Sequence, residues 1–428
     1  QLGNNTTTGS VAGNIENNSH LSFYRSNSFT FSNLISGTGD VDKRGSGIMT
    51  LASVQTYTGG TSVSQGTLRL GGNDRLASTG SLFVFGGATF DLANFSQTVG
   101  AFSGPGTAAI GTGSLTFGNS LDRTFQGFIT GSGSFIKQGT GSFTMTANNS
   151  AYTGTTTVNN GLLAVNGNLS NSATTVNTNG TLGGTGTVGQ TTVNGTIAPG
   201  NSIGTLNVNG PYVQNAGSFY NVEVNAAGQS DLINVTGTAT INGGTVRVIA
   251  GMGAYNPTTI YTILTSSGAR TGTFTGVTSN FAFLDPSLTY DPNNVYLTLV
   301  RNSIDFASVG QTPNQVSAGG GLAALGMANP IVAAALMLTP DQARAAFDSL
   351  SGEIHPSLHS LMLDESALVR DAILGRQRLD TAQGWTGTFA TGFAEEDEAA
   401  LAYAKKMRKV KGGPKWPVKA PPPVIAPI

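Results

Sequence analysis

Short runs of alternating apolar and polar residues, separated mostly by glycine, fill the chain up to Arg301. In Thr205–Val208 and Phe219–Val224, apolar residues alternate with small or polar ones. Alternation with a period of two is typical of strands with one buried face, and Gly or Asn-Gly steps are typical of turns. Residues 195–250 carry no stripe with a 3.6-residue period and are rich in poor helix formers, so an all-β structure is predicted.

One block of this pattern occurs twice. Residues 36–51 lead to Tyr57-Thr-Gly, and residues 131–145 lead to Tyr152-Thr-Gly, with the two tyrosines 152 − 57 = 95 positions apart. Internal repetition is typical of stacked units that cannot bury their apolar faces alone. We therefore predict a right-handed, single-stranded parallel β-helix, a solenoid with glycine-rich turns.

The repeated block resembles the passenger-associated transport repeat of autotransporters, the self-secreting surface proteins of Gram-negative bacteria. That repeat reads Gly-x-apolar-x-Lys-x-Gly-x-Gly, then alternating apolar residues, then Tyr-Thr-Gly. Lys43 and Tyr57 match it in the first copy. The matching residues of the second copy are Lys137, Gly139, Gly141, Tyr152, Thr153 and Gly154. The segment Ala198-Pro-Gly-Asn-Ser-Ile-Gly-Thr-Leu206 also resembles the C-terminal passenger region of this family, and the resemblance extends over most of the chain.

The composition changes after Arg301, where glycine thins out and alanine and leucine become frequent. Thr339 suits a helix N-cap, Pro340 the first turn, and Asp341 the positive end of the helix dipole. A second helix is predicted to begin near Pro356, with an apolar stripe at a period of 3.6 residues. That stripe consists of Leu358, Leu361, Leu368 and Ile373.

Residues 343–355 resemble the helical linker that leads from passenger to outer-membrane β-barrel in autotransporters. We therefore divide the chain into a β-helical stem with transport repeats (1–177), an autochaperone-like cap (178–301), a helical linker (302–382) and a disordered linker rich in Pro and Lys (383–428). Residues 281–300 are expected to form the closing strands, with Asp285-Pro286 and Asp291-Pro292 at turns. The translocator barrel that the resemblance implies is expected to be missing from this chain.

Composition narrows the possible functions. Gly accounts for 60 of the 428 residues, charged residues make up only 10%, and the net charge is −1, which gives no electrostatic case for nucleic acid. The absence of cysteine excludes disulfides and thiolate chemistry. The start at Gln1, without Met or a signal peptide, indicates a processed chain or a fragment.

Two motifs point formally to a bound ligand. Gly184, Gly186 and Gly189 match the dinucleotide fingerprint, but a strand and turn are expected to follow them instead of the helix that the fingerprint requires. His355 and His359, beside Glu353, have the spacing of two metal ligands on one helix face. No third ligand is evident and Pro356 lies between them, so we interpret this pair as part of a helix surface.

Two further sets of residues bear on catalysis. Asp40 and Asp42 project from one side of a predicted strand, as paired carboxylates would for polysaccharide cleavage or calcium binding. The remaining acids of the solenoid are scattered along the sequence. A subtilisin-like site would need Ser202 together with His20, the only histidine before the linker.

The sequence thus predicts the passenger of an autotransporter, exported to the outer membrane, cell surface or medium of a Gram-negative bacterium. We expect a structural stem or adhesin that is not an enzyme, and we assign no catalytic, cofactor-binding or metal residues. A polysaccharide-degrading β-helix enzyme is the alternative. The expected partners are the barrel translocator and a glycan or protein of a host or surface, and we expect no nucleic-acid partner. The basic run from Lys405 to Lys411 follows an acidic cluster, and we interpret it as solvated linker.

Overall fold

A computed structural model describes residues 1–251, 253–352, 362, 363, 365–367 and 370. Its strands as far as residue 137 are β1 (Leu2–Thr6), β2 (Ile15–Glu16), β3 (His20–Arg25), β4 (Phe29–Phe31), β5 (Ile35–Ser36), β6 (Asp40–Arg44), β7 (Ile48–Leu51), β8 (Thr61–Val63), β9 (Thr67–Leu70), β10 (Ser81–Val84), β11 (Thr89–Asp91), β12 (Ser96–Val99), β13 (Ala101–Ser103), β14 (Thr107–Gly111), β15 (Ser114–Phe117), β16 (Arg123–Phe125), β17 (Phe128–Gly131) and β18 (Ser134–Lys137).

The remaining strands are β19 (Phe143–Met145), β20 (Thr155–Val165), β21 (Asn168–Leu169), β22 (Ala173–Gly184), β23 (Thr187–Val188), β24 (Thr191–Val193), β25 (Thr196–Pro199), β26 (Thr205–Val208), β27 (Tyr212–Gln214), β28 (Phe219–Val224), β29 (Leu232–Val235), β30 (Ala239–Ile241), β31 (Thr245–Ala250), β32 (Thr258–Ser266), β33 (Arg270–Gly272), β34 (Gly276–Thr278), β35 (Leu284–Tyr290) and β36 (Asn294–Arg301).

These strands form a parallel β-solenoid of about 11 turns, which confirms the predicted fold class. One sheet runs β1-β3-β6-β8-β10-β13 and another runs β4-β7-β9-β11-β14-β17. The largest sheet begins at β12 and ends at β33 and β34, and a further sheet carries β21, β23, β26 and β29 into the C-terminal end. Successive turns lie in register: Phe23 pairs with Lys43, and Lys43 pairs with Val63, at intervals of 43 − 23 = 20 and 63 − 43 = 20 residues.

One continuous apolar core fills the solenoid. Its most aromatic part lies in the middle turns, where the ring of Phe117 lies 4.4 Å from that of Phe143 and 4.5 Å from that of Phe135, measured between centroids. Phe102 and Phe125 complete the cluster at 4.5 Å from each other. Strand alternation places these side chains inside and small polar residues outside, as the sequence pattern predicts.

The C-terminal end departs from parallel stacking. Strand β32 pairs antiparallel with β36, which pairs antiparallel with β35, so a hairpin closes the last sheet as predicted for residues 281–300. Asp291-Pro292 lies at its turn, but the prediction for Asp285-Pro286 is wrong, because both residues lie within β35 and pair with Val300 and Leu299. Strand β35 lies at the edge of its sheet and pairs with β36 alone. An edge strand tolerates Pro286, because the N–H that proline lacks is not needed on the unpaired side.

A 3₁₀ turn (η1, Phe306–Val309) and helices α1 (Pro313–Ala324), α2 (Pro330–Ala335) and α3 (Pro340–Leu350) follow the hairpin. Thr339 is the N-cap of α3 and accepts a hydrogen bond from the Gln342 amide, which confirms the predicted helix start. The described residues 362, 363, 365–367 and 370 are helical, within the second predicted helix. The residues named for its start and its stripe (Pro356, Leu358, Leu361, Leu368 and Ile373) lie outside the described residues. Within the part of the chain that the structure describes, no helix is long and apolar enough to cross a membrane.

Candidate functional site

The lysine of each repeat lies inside the solenoid as an ammonium enclosed by backbone carbonyls. Lys43 is 1% exposed, and its Nζ donates to the carbonyls of Arg44 (3.2 Å), Gly45 (2.8 Å) and Gln65 (2.9 Å). We call this arrangement a lysine cage. An ammonium has three donors, and each cage uses all three.

The second copy repeats the cage. Lys137 is 2% exposed, and its Nζ donates to the carbonyls of Gln138 (3.0 Å), Gly139 (2.8 Å) and Asn160 (3.0 Å). Gly139 has a φ of +77°, and a Cβ there would lie 2.5 Å from the carbonyl oxygen of Asn119, so the turn requires glycine. In both copies the third carbonyl belongs to the following turn of the solenoid, and the cage therefore links two turns.

Burial lowers the pKa of Lys43 and of Lys137 to about 8, while the nearby carboxylates of Asp42 and Asp122 oppose the shift. Both lysines remain mostly charged at neutral pH, which suits donation to three carbonyls. The arrangement holds the turns together and leaves no ammonium proton for a ligand.

The repeat tyrosines are also buried. The Tyr57 hydroxyl lies 2.6 Å from the hydroxyl oxygen of Thr61, and the Tyr152 hydroxyl lies 2.7 and 2.8 Å from the carbonyl oxygens of Thr155 and Gly133. Sequence reasoning matched these tyrosines as family markers but did not assign them hydrogen bonds.

Two buried amides near these tyrosines were missed entirely. Gln55 Oε1 accepts from the Ile35 amide at 2.7 Å, and Asn149 Oδ1 accepts from the Ile129 amide at 2.6 Å. Both side chains also donate to backbone carbonyls. Their place two or three residues before the tyrosines was the only available signal.

The Asp40 and Asp42 side chains have separate partners. Asp40 is exposed and its Oδ2 lies 2.5 Å from Nδ1 of His20, whereas Asp42 is buried and accepts from Ser64 Oγ (2.6 Å) and Arg44 Nε (3.0 Å). Across the described residues, no group of three or more His, Cys, Asp or Glu could hold a metal ion.

The glycine motif is confirmed as solenoid structure. Gly184 ends β22, and strands β23 and β24 follow where a dinucleotide site would need a helix. The other candidate ligand set, His355 and His359 with Glu353, lies outside the described residues.

A cavity of about 420 Å³ has a mixed apolar and polar lining that includes Ser202, Glu223 and Asp231. Asp231, 1% exposed, lies in it and accepts from the amides of Gly204 and Glu223, each at 2.8 Å. The loop of residues 199–202 forms one wall and carries Ser202, which the sequence had singled out. His20, the histidine that a subtilisin-like site would need, is not among the cavity residues and lies on β3, so the structure does not bring the two together. Sequence reasoning placed Asp231 only among scattered acids.

Burial raises the pKa of Asp231 to about 7, against the lowering effect of its two amide donors. This folded pKa exceeds the unfolded value of 3.8, so the protonated carboxyl of Asp231 stabilises the folded state relative to the ionised one. That contribution is complete below about pH 4 and is lost as the pH rises through 7. We therefore expect the free energy of unfolding of wild type, relative to that of Asp231→Asn, to fall between pH 4 and pH 8. Urea unfolding across this range measures it, with the exposed Asp285→Asn as control; a constant difference between wild type and Asp231→Asn would contradict the expectation.

Comparison with known proteins agrees with this architecture. The family model of the passenger-associated-transport-repeat matches residues 41–70 and 135–165, and these two ranges include both lysine cages with all their acceptor carbonyls. An extracellular serine protease of Serratia marcescens is 30% identical over 327 residues, covering 64% of this chain and 31% of that protein. The adhesin BmaC autotransporter of Brucella suis biovar 1 (strain 1330) is 41% identical over 141 residues, covering 31% of this chain and 4% of that protein.

A second extracellular serine protease of Serratia marcescens is 27% identical over 304 residues. The chain spans less than a third of the length of each of these relatives. Two transport repeats on a parallel solenoid, together with these likenesses, identify the chain as an autotransporter passenger, located at the outer membrane or cell surface of a Gram-negative bacterium or secreted from it.

Proposed function

We propose that this passenger is a non-enzymatic adhesive stem. The continuous stack of parallel turns, linked at two points by lysine cages, carries the proposal. The chain is also 41% identical over 141 residues to an adhesin autotransporter. A stiff stack of this kind can hold a binding surface away from the cell, and its outer faces carry Thr, Ser and Asn in place of charges.

A proteolytic role is the second candidate, because two relatives bear the name extracellular serine protease. Within the described residues, His20 is the only histidine and contacts Asp40, while Ser202 lies in the loop after β25. These positions do not support a serine-protease site. The structure also does not support polysaccharide cleavage, because Asp40 and Asp42 contact separate partners.

Export would follow the route that the family implies, through a linked outer-membrane β-barrel translocator. Helices α1–α3 follow the closing hairpin, at the position where a linker toward such a barrel is expected. We further propose that residues 178–301 act as an autochaperone-like unit, and that residues 302–382 and 383–428 serve as linkers toward the barrel.

The test is to measure binding of the purified full chain to cultured epithelial cells by flow cytometry, alongside release of dye from labelled casein. We expect saturable cell binding without casein cleavage. Cleavage that disappears in Ser202→Ala would establish the protease instead, and no binding to cells would remove the adhesive role.

A further inference from the structure

The cavity of about 420 Å³ is a recess in the outer face of the solenoid, lined from β20, β22, β25, β28 and β31. Three successive turns carry small residues there at one register position, because Ala164 pairs with Gly183 and Gly183 pairs with Ala198. Larger side chains at these positions would fill the space. Leu162 and Ile249, the latter 47% exposed, add apolar surface to the lining. The recess can therefore hold an aliphatic chain.

Two carboxyl groups make this recess acidic. Within the described part of the chain, its lining includes Glu223 and Asp231 and no lysine, arginine or histidine. Glu223 is partly exposed, and among the described residues its side chain forms no ion pair and accepts no hydrogen bond. The Arg247 guanidinium, on the neighbouring strand β31, lies instead over the Phe219 ring, 3.3 Å from its centroid. An accessible carboxylate is thus left without a cation.

Asp231 holds the walls of the recess in place. Its two carboxyl oxygens accept from the amides of Gly204 and Glu223, which ties the loop after β25 to strand β28. The side chain itself is 1% exposed, so it can act on a ligand through its charge and not by contact. Asp231 is therefore a positioning residue, and Glu223 is the acid that a ligand can touch.

Charge and shape narrow the class of ligand. Two acids without a base favour a cation and disfavour an anion. A metal ion is not the cation that fits, since across the described residues no group of three or more His, Cys, Asp or Glu could hold one. Lysine and arginine side chains carry a cation at the end of an alkyl stem that packs on apolar surface. Strand β28 pairs with β25 and with β31, so a peptide cannot add to it as a strand and must enter by a side chain.

We propose that this recess binds a lysine or arginine side chain of a partner protein, with the cationic head on Glu223 and the alkyl stem along Ala198 and Leu162. The proposal rests on the adhesive role and deepens it, because it names the chemical group that the passenger would hold on its partner.

The buried carboxyl gives this binding a pH dependence. Burial raises the pKa of Asp231 to about 7, and a cation on Glu223 favours the ionised form. The other titratable group against it is Tyr220, whose hydroxyl donates to the Asp231 carbonyl and whose pKa burial holds well above its usual value. Affinity for the cation should therefore rise by about threefold or more from pH 6 to pH 8, and Asp231→Asn should remove the rise.

The experiment titrates the full chain with N-acetyl-lysinamide and follows the methyl NMR signal of Ile249. N-acetyl-norleucinamide, which has an alkyl chain without the charge, is the matched probe. Glu223→Gln should weaken lysine binding by about tenfold through the lost charge-assisted hydrogen bond, and Ala198→Leu should weaken it by about tenfold or more by filling the recess. The matched controls are Glu16→Gln, an exposed acid on β2, and Ala109→Leu, on the outer face of β14. Circular dichroism melting checks that each variant folds.

Lysine binding that exceeds norleucine binding, falls in both recess variants and persists in both controls supports the proposal. Equal binding of the two probes, lysine binding that Glu223→Gln leaves unchanged, or no saturable change of the signal would overturn it. The cell-binding assay separates the two proposals. Cell binding that survives Glu223→Gln keeps the adhesive role and rejects the recess as its ligand site, whereas no cell binding by wild type rejects the adhesive role and leaves the lysine titration to decide on the recess.

Discussion

Replacing Phe117 by alanine is expected to lower the free energy of unfolding of the middle turns by about 3–5 kcal/mol. The side chain is 1% exposed and contacts the rings of Phe135 and Phe143 at centroid distances below 5 Å. Neighbouring turns already fill the surrounding space, so the cavity cannot collapse fully.

In a solenoid each turn contacts mainly its neighbours, so this loss should be local. Hydrogen exchange should rise over β15 to β19 and stay unchanged over β29 and β32. Phe128→Ala is the matched control, because that ring is 53% exposed, and it should cost less than about 1 kcal/mol. Equal effects of the two substitutions would contradict a packed aromatic core in these turns.

The second large effect concerns the lysine cage. Lys137→Met keeps the length of the side chain but leaves the carbonyls of Gln138, Gly139 and Asn160 without this donor. Unpaired buried acceptors cost about 1–3 kcal/mol each, and removal of a buried charge returns part of that cost. We expect a net loss of about 3 kcal/mol in unfolding free energy by urea titration at pH 7.

Lys43→Met should behave in the same way, since its cage has the same three-carbonyl geometry. Arg123→Met, which removes a cation from the half-buried surface of β16, is the control and should change stability by less than about 0.5 kcal/mol. If both lysine variants matched the control, the cages would have no structural role.

Much of the fold follows from local pattern. Alternation and glycine turns predict the strands, and repetition predicts their stacking, because period-two burial and sharp corners are local properties. The start of α3 was predictable for the same reason, since Thr339 and Pro340 act within one turn of helix. The position of Asp285-Pro286 was not, because it depends on β35 having no partner on one side.

The site residues were much less predictable. The repeat pattern marks Lys43 and Lys137, but their acceptors in Gln65 and Asn160 lie about one turn further along the chain. Asp231 reads as an isolated acid until the chain brings the Gly204 amide to it, 27 residues away in sequence. Such contacts depend on the register between turns, which alternation alone leaves open.

We propose that the C-terminal region of this solenoid forms its stable nucleus. There the antiparallel hairpin closes the end of the core, which also contains the buried side chains of Tyr212, Tyr220 and Tyr261. Limited proteolysis of the full chain in moderate urea, followed by mass spectrometry of the surviving fragments, tests this most directly. We predict a resistant core covering residues 178–300; a resistant core confined to residues 1–177 would contradict the account.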